Sequence, residues 1–427
     1  MKSTTPVRGL LFVGALCASA VSSWSQVIEL RATLNAAQEA PPNTSPATGS
    51  AILFYDVAAN KFDLVVSISN MTNLATNSHI HEAAPGVAGG VVTGLGGESV
   101  YTRNGSNLTA TFRDITHGGD KLKLIQGGAY LNIHSAQYPG GEIRGQLIAR
   151  PVRLVANMDV AQKQAAFPNA TGLAALNDFG GAVMLYDPAA HTMRLRMSLF
   201  NFNNTFSNSH FHVGAPGVSG GTTVSLGNNA NAGGYNNTNG YIAGTFDIPM
   251  GTTDPITLLT GGMYLNFHSA GTFSSGELRG QVRVSAEVPS TRVANTSVRG
   301  LVGTGDQVLI HGFHITGAEP VRVLISAKGP SLTSFGVTGV LANPVLTLYD
   351  SRGRPIASND NFGTVPTGSE LVGVPGLPTN ANEAALVVVL PPGSYTASVS
   401  AAAGTGVALL EITDLRLLGP AFTATAD

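Results

Sequence analysis

The 427-residue chain has one cysteine, one tryptophan and few charges, with only 11 % of its residues charged. Cys17 and Trp24 both fall within the first 25 positions, in a stretch that reads as a secretory signal. Lys2 and Arg8 form its charged end. Leu10 to Val21 is an apolar run too short to span a bilayer, and Ser23-Trp24-Ser25 supplies small residues for cleavage before Gln26. Leu16 stands before Cys17 where a lipoprotein signal needs a small residue, so lipidation is not expected. Loss of this leader would remove every cysteine, which excludes disulfides, thiolate chemistry and cysteine metal sites from the mature chain. It would also take the net charge from −2 to about −4. No basic patch or aromatic–arginine platform points to nucleic acid. No later segment is apolar enough to cross a membrane, and helical periodicity is missing over any useful length.

Common catalytic motifs are missing too. His81-Glu82-Ala83-Ala84-Pro85 lacks the second histidine of a zinc protease helix. There is no Gly-x-Ser-x-Gly elbow, and the glycine-rich run Gly300 to Gly305 has no Lys-Ser/Thr after it, so it is not a phosphate loop. The composition that is present, 43 % hydrophobic with 52 glycines, suits short strands joined by Gly/Asn turns.

Two histidine-bearing strands organise this all-β chain. Ser78-His79-Ile80-His81-Glu82 precedes Ala83-Ala84-Pro85-Gly86, and Tyr130-Leu131-Asn132-Ile133-His134-Ser135 follows some fifty residues later. Alternate residues of a strand share a face, so His79 and His81 point one way while Ile80 points into a core. Asn132 and His134 pair up in the same manner. The whole pattern recurs: His210 and His212 match His79 and His81 at an offset of 131 residues, and Asn266 and His268 match Asn132 and His134. Gly276-Glu277-Leu278-Arg279-Gly280-Gln281 repeats Gly141-Glu142-Ile143-Arg144-Gly145-Gln146. Insertions between the copies fall in loops, so strand register is kept.

The boundaries follow from these patterns: a signal at 1–25, repeats at 26–150 and 151–286, a linker at 287–297, a C-terminal β-sandwich at 298–420 and a tail at 421–427. In the third unit strands are expected at Gln307 to Phe313, Pro320 to Ala327, Pro344 to Tyr349, Ala384 to Leu390, Ser394 to Ser400 and Gly406 to Asp414.

The motifs His-x-His-x-x-x-Pro-Gly, Tyr-Leu-Asn-x-His-Ser and Gly-Glu-Ile/Leu-Arg-Gly-Gln, each present twice and in order, resemble the CHRD domain, named after chordin and common in secreted bacterial proteins. The resemblance implies two tandem immunoglobulin-like or Greek-key β-sandwiches or barrels. The His79-Ile80-His81 strand, the later His134 and the closing Arg144 also resemble the copper side of copper–zinc superoxide dismutases. That likeness would make His79, His81 and His134 copper ligands with Arg144 nearby, and His210, His212, His268 and Arg279 their counterparts. His117 is the one histidine of the first repeat in the loop where that family carries its bridging and zinc ligands, and the second repeat has none there. Val298-Arg299-Gly300, Lys328-Gly329-Pro330-Ser331-Leu332 and the run from Pro344 to Asp350 resemble an accessory sandwich module found at the C-terminus of large secreted bacterial proteins.

Three imidazoles from two strands suit copper, zinc or nickel. The competing role is a structural network in which Tyr130, Asn132, Glu142 and Arg144, with Asn266, Glu277 and Arg279 in the second copy, satisfy buried polar groups. Glu142 and Arg144, two apart on a strand, are expected to form an ion pair. The sequence therefore reads as a secreted, non-enzymatic binding or structural protein, outside the cell or in the periplasm and associated with the cell envelope. Its partner would be an extracellular ligand or an envelope component. The alternative is a copper- or zinc-binding metalloprotein with superoxide-dismutase-like redox chemistry.

Overall fold

The structure is a computed structural model that describes residues 27–168, 172–227, 235–238, 240–286, 294–364 and 374–418. The expected signal at 1–25 and the tail at 421–427 lie outside the described residues. No helix among the described residues is long and apolar enough to cross a membrane.

The first repeat makes ten strands: β1 (Val27–Asn35), β2 (Thr48–Asp56), β3 (Lys61–Ser69), β4 (Ala75–Glu82), β5 (Gly90–Gly94), β6 (Thr102–Asn104), β7 (Asn107–Thr116), β8 (Ala129–Ser135), β9 (Ile143–Gln146) and β10 (Ile148–Ala149). They form one antiparallel sheet in the order β5-β4-β8-β9-β1-β2-β3-β7-β6, with β10 against β1. Alternation explains the strands. In β1, Ile28, Leu30, Ala32 and Leu34 are buried while Arg31 and Thr33 are exposed. The sheet turns at β1, which pairs with β2 along its length and meets β9 through Asn35 opposite Arg144. Such a hand-over lets one sheet close around a single core, as sandwiches and barrels do.

The second repeat copies the first. Its strands are β11 (Val152–Asp159), β12 (Phe179–Asp187), β13 (Thr192–Phe200), β14 (Phe206–Val213), β15 (Thr222–Gly227), β16 (Tyr235–Thr238), β17 (Tyr241–Pro249), β18 (Met263–Ser269), β19 (Leu278–Gln281) and β20 (Arg283–Val284). Their order is β15-β14-β18-β19-β11-β12-β13-β17-β16, with β20 against β11. A short helix, α1 (Lys121–Ile125), precedes β8. A second, α2 (Val160–Ala166), follows β11, and a third, α3 (Pro255–Leu259), sits before β18. Asp120 and Asp254 cap α1 and α3 by accepting from backbone N–H groups of the first turn, which meets donors that a helix start leaves unpaired.

The C-terminal unit has β21 (Asn295–Val302), β22 (Leu309–Ile315), β23 (Val321–Lys328), β24 (Pro344–Tyr349), β25 (Pro355–Asn359), β26 (Ala384–Leu390), β27 (Gly393–Ala401) and β28 (Gly406–Asp414). Two four-stranded sheets, β21-β28-β23-β26 and β22-β27-β24-β25, face each other over Ile325, Leu346, Leu348, Val388, Val399 and Leu410. The span read as a linker needs a correction at its end. Asn295, Thr296 and Ser297 belong to β21, paired with Thr413, Ile412 and Glu411; their polar side chains hid a strand that lies half-exposed. Residues 287–293 lie outside the described residues. This sandwich packs on the second repeat, where the Val389 N–H donates to Ser198 Oγ at 3.0 Å and Tyr241 and Phe200 join its core.

Candidate metal centre

Strands β4 and β8 are neighbours, and their register sets His79 opposite Asn132 and His81 opposite Tyr130. Ile80, on the other face of β4, is wholly buried in the core. The pairing gathers His79, His81 and His134 so that one ring nitrogen of each lies within 4.8 Å of the others, and β14 with β18 gathers His210, His212 and His268 in the same way.

Hydrogen bonds decide which nitrogen is free. His81 Nδ1 lies 3.0 Å from the Gly89 carbonyl and His134 Nδ1 lies 3.0 Å from the Pro139 carbonyl. A carbonyl only accepts, so each Nδ1 carries the proton and each Nε2 keeps its lone pair. His81 Nε2, His134 Nε2 and His79 Nδ1 are all buried without a partner. Burial holds His79 below the usual imidazole range, with His134 and His81 adding to the shift. Burial lowers His81 as well, against the opposing bond to Gly89. Neutral rings aimed by carbonyl partners are the state in which imidazole ligates a metal.

Behind the histidines stands a stack of rings. The His81 ring lies parallel to Tyr130, with centroids 4.9 Å apart, and the Arg144 guanidinium covers the other face of Tyr130 at 3.4 Å. The second repeat has His212 on Tyr264 at 5.0 Å and Arg279 over Tyr264 at 3.5 Å. One residue braces this stack: the Gly89 N–H donates to Tyr130 Oη while its carbonyl accepts from His81. Arg144 donates to the carbonyls of Val87 at 2.6 Å and Ala84 at 2.9 Å, and Gln146 donates to that of Ala83. Tyr130, Asn132 and His134 alternate on β8, so the signal for the tyrosine was present in the Tyr-x-Asn-x-His spacing.

Glu142 and Arg144 do not form the expected ion pair. Glu142 precedes β9, next to Gly141 at φ 137°, and its carboxylate accepts from Ser45 Oγ at 2.8 Å and from Asn73 Nδ2. The buried acid near Arg144 is instead Glu39, which burial pushes up to about 7 against the pull of Arg144. Glu39 and Arg144 line a cavity of about 490 Å³ walled by Pro41, Pro42 and Pro85. His117 stays outside the triad: it is buried beside Tyr55, and its Nε2 lies 3.9 Å from Glu82. In the C-terminal unit, His311 faces Thr296 and His314 faces Ser394, and Asp350 closes its turn by accepting from Arg354.

In the second repeat, Glu277 accepts from Asn204 and has a companion acid, Asp178, within hydrogen-bonding reach. The first repeat has Ala47 at the corresponding offset. Two buried carboxyl groups in contact keep a single charge between them, so burial, and then Glu277, push Asp178 well above its usual range. An unfolded aspartate ionises near ~3.9, so the folded state holds a proton that the unfolded state has lost. Stability therefore falls as pH rises above that value. Asp178→Asn is expected to gain about 1–2 kcal/mol at about pH 8 and almost nothing at about pH 4. Urea unfolding at the two pH values checks this; a gain that does not change with pH would refute the shared proton.

The CHRD domain family profile matches residues 30–147 and 154–282. The chain belongs to the CHRD family. Both matched segments contain a histidine triad together with its Tyr–Arg stack, and CHRD domains are extracellular-type binding domains. No curated protein matches the chain. Among solved structures, the pre-peptidase C-terminal domain of collagenase from Bacillus anthracis is similar at 17 % identity, over 28 % of this chain and 89 % of that one, with a TM-score of 0.19.

Proposed function

We propose that the chain is a secreted binding protein of the cell envelope or its exterior, with a transition-metal site of three imidazoles as its binding element. Residues 26–150 and 151–286 are the two CHRD units in this reading, and residues 298–420 form an accessory or attachment module. The observation that supports it most is the set of three buried nitrogens in the first unit, His79 Nδ1, His81 Nε2 and His134 Nε2, none with a hydrogen-bond partner. Lone pairs buried without donors cost stability, and an ion at their centre satisfies all three. An all-imidazole donor set fits Cu²⁺ or Zn²⁺. Three protein ligands leave a further coordination position for an external ligand, which is how such a module would bind a partner through its metal.

Electron paramagnetic resonance of the full chain loaded with Cu²⁺ tests this reading. The spectrum is expected to show hyperfine splitting from several equivalent nitrogens. It should vanish when all six triad histidines are replaced by alanine. An aqueous-type copper spectrum, or one unchanged in the six-histidine variant, would leave the triads as a structural network only.

A further inference from the structure

The two triads share their spacing but not their hydrogen bonding. In the second unit His268 Nδ1 lies 2.8 Å from the Ser274 carbonyl, so its Nε2 has the lone pair. Two groups crowd that one lone pair: His210 Nδ1 approaches it at 3.2 Å and the Asn266 amide nitrogen at 3.1 Å. The amide nitrogen is a donor, and His210 shares the lone pair only in the tautomer with its proton on Nδ1. Only His212 Nε2 remains buried and without a partner. In the first unit the equivalent amide, Asn132 Nδ2, turns instead toward Glu39 Oε2 at 3.5 Å, and His134 Nε2 stays free.

The ionisable group beside the asparagine of each unit differs in sign. In the first, Glu39 reaches the Asn132 amide. In the second stands Lys163, 1 % exposed, with its Nζ 2.5 Å from the Ser275 carbonyl and over the Phe167 ring. The Asn266 amide reaches the same Ser275 carbonyl, at 3.3 Å. The Lys163 charge acts on both His212 and His268. A carboxylate lowers the energy of a nearby cation and an ammonium raises it, most of all where water is excluded.

Resting on the reading that the triads bind metal, we propose that the chain holds one Cu²⁺ or Zn²⁺, at His79, His81 and His134, and that Lys163 with Asn266 closes the second triad to metal. Glu39 is the positioning residue of the open site because it draws the Asn132 amide away from His134. Lys163 is the excluding residue of the closed one.

Metal stoichiometry and affinity of the full chain, by calorimetric titration with Zn²⁺ and elemental analysis after dialysis, test the proposal. Wild type is expected to retain one ion, with any second binding roughly 10–100-fold weaker. His79→Ala with His81→Ala should lose the ion, while His210→Ala with His212→Ala should keep it. Lys163→Met should bring the second affinity up to within about tenfold of the first, and Glu39→Ala should weaken the first about tenfold. Thermal unfolding of each variant confirms that it is folded, and the His210/His212 variant keeps the test valid if Lys163→Met is not. Two ions bound equally by wild type, or one lost only with His210 and His212, would overturn the inequivalence and leave the metal reading standing. No ion bound by wild type at all would overturn the metal reading itself.

Discussion

Arg144→Ala is expected to destabilise the first CHRD unit by about 3–5 kcal/mol, the largest effect of any single change at the site. Arg144 is 2 % exposed, yet it meets no carboxylate partner; its donors go to the carbonyls of Val87 and Ala84 and to Gln146 Oε1. Charge-assisted hydrogen bonds of this kind are worth about 1.5–3 kcal/mol each. Alanine would remove both charge-assisted bonds, leaving the Ala84 carbonyl only its bond from the Val87 N–H, and would empty the space over Tyr130, adding a cavity term. Lysine does not rescue the site, because a point charge on a flexible stem cannot fork to two carbonyls and stack flat on a ring. Arg279→Ala should act in the same way in the second unit, where Val218 and Ala215 are the acceptors. Urea denaturation at neutral pH provides the measurement, and a loss below about 1 kcal/mol would show that the loop from Ala83 to Gly89 does not depend on the guanidinium.

Gly89→Ala should cost about 2–4 kcal/mol and disturb the first histidine triad, the proposed metal site, at the same time. A Cβ at this position would overlap the Glu82 carbonyl oxygen and stand 2.9 Å from Ala83 Cβ. The Glu82 carbonyl belongs to the end of β4, so it cannot move away without shifting the strand that bears His81. The Gly89 backbone must therefore retreat, and its N–H and carbonyl hold Tyr130 Oη and His81 Nδ1. A freed His81 ring loses its fixed tautomer, and copper or zinc affinity at the first triad is expected to fall roughly 10–100-fold. Gly220, which would overlap the Val213 carbonyl, gives the matching variant. If Gly89→Ala lowered stability but left affinity unchanged, the orienting bond from His81 would be irrelevant to ligation.

Much of this was legible in the residue pattern. Period-two alternation marked β1 and the histidine strands, because half-buried strands must alternate, whereas β23 and β26 are buried along nearly their whole length. The spacing His79-x-His81 put two rings on one face for the same reason. Some strands left no such mark. The glycine-rich span from Gly86 to Gly97 contains β5, whose residues Gly90, Val91 and Gly94 are exposed and pair at the sheet edge with β4. An edge strand with little to bury needs no apolar pattern. The Glu142–Arg144 pairing expected from strand geometry failed because Glu142 sits just outside the strand, where Gly141 turns the chain.

The sequence by itself determined the all-β class, the duplication and the two sets of three histidines, since each is a matter of local periodicity repeated at nearly constant offset. Only the tertiary structure decided what those histidines face. Asn35 and Asp159 hold the same register, opposite Arg144 and Arg279, and at their offset of 124 residues the counterpart of Glu39 is Lys163. The two stand four residues after Asn35 and Asp159, Lys163 within the helix α2, and the shared strand order brings each beside the asparagine of its own unit. The physical reason is that a buried charge acts through space rather than along the chain. Whether an imidazole lone pair is open to a metal depends on the nearest donor and the nearest charge, and packing alone chooses both.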